Sequence, residues 1–396
     1  MKKQTLRDIE TSNKRVLVRV DFNVTIENGR ISDDGRLRAV LPTIRYLQEK
    51  EAIVVLCSHL GRPGGKVVEH MRLTPIGRRI SELLHQDIYC INECVGTSVY
   101  EAVRKLKPGE IMLLENLRFH PEEEENDLGF ARSLASLADV FVNDGFAVAH
   151  RAHASTEGVT RYIPSVAGLL MEKELNILDS LLQSPQRPMI VALGGAKVSD
   201  KIGVLENFLH KVDAILIGGG MAATFLKAND LSVGNSPIED NQIDLARDIM
   251  KRAKDIGIPL LIPLDVIVAD QFGPDARSRT VDVSDIPDGW YIMDIGHRTL
   301  DVFRSELSKG KTILWNGPMG VFEFPAFSRG TRELAATLAS LTNATTVLGG
   351  GSTAEVANSL NLSDRITHVS TGGGASLEFL EGKILPGVAA LMDEER

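Results

Sequence analysis

The chain has 396 residues, 43% of them apolar and 24% charged. That is the balance of a soluble globular protein, with too much sequence for one ordinary core, so two domains are expected. A net charge of −9 argues against nucleic acid or an acidic membrane as a partner, and any anionic ligand must meet a local basic cluster.

The opening "MKKQTLRDIE" lacks the apolar centre of a signal peptide, and no run of 18 uncharged apolar residues follows. Three cysteines, Cys57, Cys90 and Cys94, are too few for a disulfide framework and fit a reducing, cytoplasmic setting. Cys90 and Cys94 have no second Cys or His pair at ligand spacing, so a zinc site is not expected.

Along the chain, short apolar runs alternate with amphipathic stretches. In the first half the strands predicted are "RVLVRVDF" (15–22), "AIVVLCSH" (52–59), "IMLLEN" (111–116) and "VFVNDGF" (140–146). Helices are predicted over 36–49 and 75–84. "PEEEEND" (121–127) reads as a solvated acidic loop, because single charge runs usually sit in water. Residues 170–182 are amphipathic and helical, and Pro185 and Pro188 end them. A stiff connector there suits a hinge between lobes. The second half continues with "IVALGG", "AILIGGG", "PLLIPLDVIVAD", "TILWNGP", "TVLGGG" and "THVSTGGG". Continuous apolar strands between helices mean parallel sheets covered on both faces. The division expected is 1–170, a linker at 171–188, 189–381, and a tail at 382–396 that packs back on the first domain.

Ligands in open parallel sheets sit beyond the carboxyl ends of the strands. In the second half those ends are glycine-rich: Gly194, then Gly218 and Gly219, then "WNGPMG", then Gly349 to Ser352, then Gly372 to Gly374. Five such ends in one half-chain point to an extended anion such as a nucleotide polyphosphate. Lys197 and Lys201 flank the start of a helix read as capped by Ser199. A helix N-terminus disfavours cations, so an anion is expected between them. No P-loop, no dinucleotide G-x-G-x-x-G and no protein-kinase H-R-D or D-F-G set is present.

The strand ends of the first half carry charge instead: Asp21 and Asn23, His59 and Arg62, Arg118 and His120, His150, Arg151 and His153, with Arg36 opening the first helix. Arginine forks match phosphate and carboxylate. The grouping points to a small polyanion, with Asp21 and Asn23 accepting from its hydroxyl.

"RVDFNV", "SHLGRP", "LLENLRFH", "AHRAHAS", "LGGAKVSDKI", "IGGGM", "WNGPMGVFE" and "THVSTGGGASLEFLEGK" follow in this order. Together they resemble phosphoglycerate kinase over essentially the whole chain. The resemblance implies two Rossmann-like, doubly wound parallel-sheet domains facing each other across a cleft and joined by a helical hinge. It implies 3-phosphoglycerate or 1,3-bisphosphoglycerate on Asp21, Phe22, Asn23, Arg36, His59, Leu60, Gly61, Arg62, Arg118 and Arg151. The nucleotide, ATP or ADP with Mg2+, falls to Gly194, Lys197, Lys201, Gly218, Gly219, Asn316, Pro318, Glu323 and Gly349, Gly350, Gly351 and Ser352. Arg36, Lys197, Lys201, Gly373 and Gly374 are the implied catalytic groups, and a monomer is the default.

Two departures stand out. The family usually reads "GGGD" where this chain has Ser352, a neutral and weaker oxygen ligand. Magnesium would then rely on phosphate oxygens and water. "LDIGP" is usual where this chain has "MDIGH", so His297 is expected to alter a loop. The acceptor in the ATP-consuming direction is a carboxylate, ionised at neutral pH, so no general base is needed. Two other readings remain open at this point. One is a two-lobed anion-binding protein without chemistry; the other is a different carboxylate kinase such as an acetate kinase.

Overall fold

The computed structural model describes residues 2–27 and 29–394. The chain divides into two compact units, one running to Asn176 and resuming at Ile384, the other spanning Ile177–Lys383. Among the described residues no helix is long and apolar enough to cross a membrane.

The first unit is built on six parallel strands. Their spatial order is Tyr89–Cys90, Ile111–Leu113, Ile53–Cys57, Arg15–Arg19, Val140–Asn143 and Ser165–Ala167. Val16, Leu17 and Val18 are all fully buried, so the central strand is covered on both faces and tolerates no alternation with polar residues. The helix Gly35–Glu49 buries Leu37, Val40, Leu41, Ile44 and Leu47, an apolar stripe at helical spacing. The helix Thr74–Leu84 buries Ile76 and Ile80 and stops at His85, whose φ of 55° closes it in the left-handed region.

The acidic run departs from its reading as a solvated loop. Pro121–Glu124 is helical, and Glu123 is fully buried. It accepts from both the hydroxyl (2.6 Å) and the N–H (3.0 Å) of Ser155. Charge patterning alone could not single out one glutamate among four as the one with buried partners.

The C-terminal segment completes this unit. Lys3 Nζ donates to the carbonyls of Ala389 (3.0 Å) and Leu391 (2.8 Å) and pairs with Asp393 at 2.7 Å. Asn143, at the end of its strand, donates to the Gly387 carbonyl at 3.0 Å.

The second unit has its own six parallel strands: Leu260–Leu261, Ala214–Ile217, Met189–Leu193, Thr312–Asn316, Thr345–Gly349 and His368–Val369, in spatial order. Successive connections leave Met189–Leu193 and Thr312–Asn316 in opposite directions. The gap beyond their carboxyl ends is therefore the switch point where doubly wound sheets hold ligands.

A separate antiparallel sheet orders Ser278–Asp282, Asp265–Ala269 and Tyr291–Ile295, which the sequence pattern did not disclose. "PLLIPLDVIVAD" is consequently two strands. Pro263 falls between them, and a proline cannot donate to a central ladder. Ser199 is not the helix cap. The helix runs Ile202–Phe208 with Lys201 in the cap position, and Ser199 bonds Glu239 instead, Oγ to Oε1 at 2.5 Å. His297 opens the helix His297–Leu307 rather than altering a loop. The first helical position is one where proline and other residues exchange readily, because its N–H has no intrahelical partner.

Candidate functional site

Each unit presents polar groups at its strand ends. In the first unit the strand Arg15–Arg19 leads into Asp21, which pairs with the Arg36 guanidinium and accepts from the Asn23 N–H at 3.0 Å. Asn23 Oδ1 accepts from Gly61 N–H at 2.8 Å, and the Gly61 carbonyl accepts from Arg118 Nη1 at 2.9 Å. Asn116 fixes the turn that carries Arg118: its Oδ1 accepts from Arg118 N–H and Leu60 N–H, and its Nδ2 donates to the Leu60 carbonyl. Backbone and side-chain bonds thus join Asp21, Asn23, Arg36, Leu60, Gly61 and Arg118 in one connected set.

His59 is buried and is not a cation. Arg19 Nη2 lies 3.2 Å from its Nδ1. A guanidinium can only donate, so Nδ1 accepts and the ring proton sits on Nε2. Burial, with the charges of Arg19, Arg118, Arg151 and Arg36, holds its pKa well below the usual histidine value. His153 is driven down to about 4 by burial and the charges of Arg19 and Arg118. The positive charge around His59 and His153 is therefore arginine charge, and these two histidines act as neutral groups. This corrects the reading that counted them among the basic residues.

Arg19, fully buried and not anticipated, organises the cluster from below. It donates through Nε to Ser155 Oγ at 2.8 Å, and Ser155 passes the contact on to Glu123. The arginine at the end of "RVLVR" could have been flagged, since a charged residue ending a fully apolar strand needs a buried partner. Arg118 is also buried; Glu124 lies 3.1 Å from its Nε, and its Nη2 has no hydrogen-bond partner. An unspent, buried cationic donor fits an anionic ligand.

The remaining assignments separate. Arg151 is half-buried and its Nε contacts His150 at 3.3 Å. Arg62 is exposed and, among the described residues, makes no hydrogen bond or ion pair. Phe22 belongs to the core, fully buried with its N–H taken by Ser58 at 2.9 Å. Its side chain lies under the site rather than in it, packed into the apolar core of the first unit.

In the second unit a cavity of about 270 Å3 opens at the switch point, lined among others by Gly195, Gly219, Met293, Pro318, Val321 and Glu323. The glycines around it serve a purpose different from the one expected. The N–H groups of Gly194, Gly218 and Gly219 are spent on the carbonyls of Asn316, Leu193 and Met319, at 2.9 Å each. A Cβ on Gly194 would lie 2.1 Å from the Pro318 carbonyl oxygen. These glycines let two loops touch, which shapes the cavity floor, rather than offering free donors.

Lys201 is buried, and its ammonium bonds Asn316 Oδ1. Burial lowers its pKa to about 8, against the pull of Asp200 and Glu381. Asn316 Nδ2 is buried without a partner. Lys197 is exposed; against the cost of burial, the bonds from Ser199 and the Val198 backbone hold Glu239 below the usual carboxylate range, and the charge of Lys197 adds to them. Glu323 is exposed on the cavity rim.

Gly350 has φ of +88°, a conformation that side chains rarely adopt, and leads into the helix Gly351–Ser359. Ser352 is exposed in the first turn of that helix, which carries no acid. Gly373, at φ +52°, precedes the short helix Gly374–Leu380. The Gly372 N–H is already bonded to Ser370 Oγ at 3.2 Å.

A family model described as phosphoglycerate kinase matches residues 6–383. The chain belongs to the phosphoglycerate kinase family. It is 55% identical over 394 residues to the phosphoglycerate kinase of Pelotomaculum thermopropionicum, with both chains covered completely. It is 53% identical to that of Moorella thermoacetica, again with complete coverage of both. Among solved structures, the phosphoglycerate kinase of Coxiella burnetii superposes with a TM-score of 0.89 at 41% identity, covering 98% of each chain. That of Pyrococcus horikoshii gives 0.86 at 36% identity, with the same coverage.

Proposed function

We propose that the chain catalyses reversible phosphoryl transfer from 1,3-bisphosphoglycerate to ADP, giving 3-phosphoglycerate and ATP, as a cytoplasmic and monomeric enzyme of glycolysis and gluconeogenesis. The observation that carries this reading is the arginine set around neutral His59, with the unspent buried donor of Arg118. A substrate with anionic groups at both ends needs several cations, which an acetate-type substrate does not. Family membership supports chemistry over simple anion storage.

The first unit would hold the phosphoglycerate on Asn23, Arg36, His59, Arg62, Arg118 and Arg151. His59 offers its Nε2–H as a neutral donor, so it orients a ligand oxygen without adding charge. Asp21 holds the Arg36 guanidinium and remains free to accept a substrate hydroxyl. In the second unit the cavity would take the nucleoside, with Glu323 on the ribose and Asn316 and Pro318 at its border. Lys201, Lys197 and the segment from Gly349 to Ser352 would meet the phosphates. Gly373 and Gly374 would offer N–H groups to the transferred phosphoryl.

The donor set near Ser352 fits a magnesium ion that would be held mostly by phosphate oxygens and water, since the first turn offers the exposed Ser352 hydroxyl and no carboxylate, and the Thr353 hydroxyl is buried against the Gly317 N–H. When bound, the ion would neutralise charge on the polyphosphate. The acceptor carboxylate is ionised at neutral pH, so the protein has no proton to remove. Its task is alignment and electrostatic stabilisation by Arg36, Lys197 and Lys201. The arginines and the glycine loops belong to different units, so in-line transfer calls for closure about the segment 171–188, which also excludes water.

A coupled assay for ATP formation from 1,3-bisphosphoglycerate and ADP tests the reading. The full chain is expected to turn over. Arg36→Ala is expected to keep its fold and to lose on the order of 10²-fold in turnover. Normal turnover in that variant removes Arg36 from the mechanism, and an inactive, folded wild type removes the function.

A further inference from the structure

We infer that Glu93, Cys94 and His120 form a binding site for a borderline-soft divalent transition ion such as Zn2+, separate from the phosphoryl-transfer chemistry. One ligand atom from each residue lies within 4.8 Å of the other two. His120 Nε2 is 2.7 Å from Glu93 Oε1, and that same carboxylate oxygen accepts from the Cys94 N–H at 2.8 Å. The buried Cys94 Sγ points at the Glu115 carbonyl, 3.1 Å away.

The geometry is close to what such an ion needs. Zinc bonds of about 2.3 Å to sulfur and about 2.0–2.1 Å to nitrogen or oxygen place tetrahedral ligand atoms roughly 3.3–3.6 Å apart. The His120–Glu93 pair would open by about 0.6 Å, and the widest pair would close by no more than about 1.2 Å. Imidazole and thiolate select against magnesium and calcium, which prefer oxygen alone. Three protein ligands leave a fourth position for water.

The set is assembled by the sheet. The strands Tyr89–Cys90 and Ile111–Leu113 pair in parallel, with Tyr89 opposite Met112 and Cys90 opposite Leu113. Both chains then leave the same sheet edge, and His120 arrives 27 residues after Glu93. The His120 ring is held against Phe130, with ring centroids 5.0 Å apart, so the imidazole is oriented before any ion binds. The spacing of Cys90 and Cys94 disfavoured a metal because the third ligand, His120, comes from the segment that follows a different strand, and exposed Cys90 takes no part.

Binding exchanges an S–H bond for a metal–sulfur bond, and the thiol proton passes to solvent. Without a cation the thiol keeps its proton, since burial and the charges of Glu93 and Glu115 push its pKa well up. A dication offsets the thiolate and the Glu93 carboxylate together.

Co2+ titrated into the full, folded chain is the probe, followed by absorbance. The expected result is one Co2+ per chain, with sulfur-to-cobalt charge-transfer absorption and the intense visible bands of a tetrahedral ion. Zn2+ should bleach both in competition. Cys94→Ser should abolish the charge-transfer band, Cys90→Ser should leave it intact, and His120→Ala and Glu93→Gln should each weaken binding tenfold or more. Circular dichroism establishes that each variant is folded. If Cys94→Ser does not fold, the loss of Co2+ affinity in the surface variants His120→Ala and Glu93→Gln carries the test. A wild type without the charge-transfer band overturns the site, as does a band that follows Cys90 or survives both surface substitutions unchanged.

Discussion

Arg19 decides what His59 can do. A guanidinium 3.2 Å from Nδ1 makes that nitrogen an acceptor and leaves Nε2–H as the outward donor. The residue types that suggested a basic cluster were correct for the arginines, while the protonation of His59 and His153 depended on burial that no motif displays. Lys201 shows the same dependence, because its pKa falls to about 8 through burial. ADP affinity measured by calorimetry is therefore expected to fall between pH 7 and pH 9, by up to about tenfold, as the ammonium gives up its charge. Lys201→Gln should bind weakly with no such slope, and an equal slope in the variant would assign it to another group. Ser352 stands exposed in the first turn of its helix. Ser352→Asp is expected to tighten magnesium-nucleotide binding by supplying a carboxylate oxygen. Equal or weaker binding by titration would place Ser352 away from the ion.

At the scale of elements, the helix Leu169–Gln183 is tied to the first sheet by one buried carboxylate. Asp144 Oδ1 accepts from the N–H groups of Leu170 (2.9 Å) and Met171 (3.1 Å). A Cβ on Gly168 would lie 2.2 Å from that oxygen, so the approach requires glycine. Burial pushes the Asp144 pKa up to about 6, against the favourable bonds from Thr43 and the helix N–H groups. The folded state thus holds this proton more tightly than the unfolded chain. The stability it contributes is fully present below about pH 4 and is lost as pH rises through 6, amounting to about 3 kcal/mol. Asp144→Asn keeps an acceptor and cannot ionise. Urea denaturation at pH 4 and pH 7 should show the variant gaining on the wild type as pH rises, and a constant difference would mean that Asp144 does not titrate in this range. The helix itself was legible from its apolar periodicity, since Met171, Leu175 and Leu178 fall on one stripe. Its carboxylate anchor was not, because Asp144 lies 26 residues before Leu170 and only the fold brings them together.

For the whole molecule, the proposed chemistry demands that two units, each with its own sheet and core, bring their ligands together. Small-angle X-ray scattering is expected to show a smaller radius of gyration with 3-phosphoglycerate and a magnesium-nucleotide analogue bound together than with either alone. An unchanged radius would remove closure from the mechanism. A helix crossing the unit boundary at Asn176 and Ile177 is a connector through which such a motion can be transmitted.

The alternation of apolar strands with amphipathic helices determined two parallel-sheet units, because a strand buried on both faces can be covered only by helices. The strand-end motifs likewise determined which family the chain joins and which residues carry charge. Tertiary structure alone decided which of those charges survive burial, and which glycines bring loops together instead of offering donors. It also decided that Glu123, Asp144 and Arg19 are buried partners. Those outcomes depend on desolvation and on contacts between residues far apart in the chain, and neither is written in local pattern.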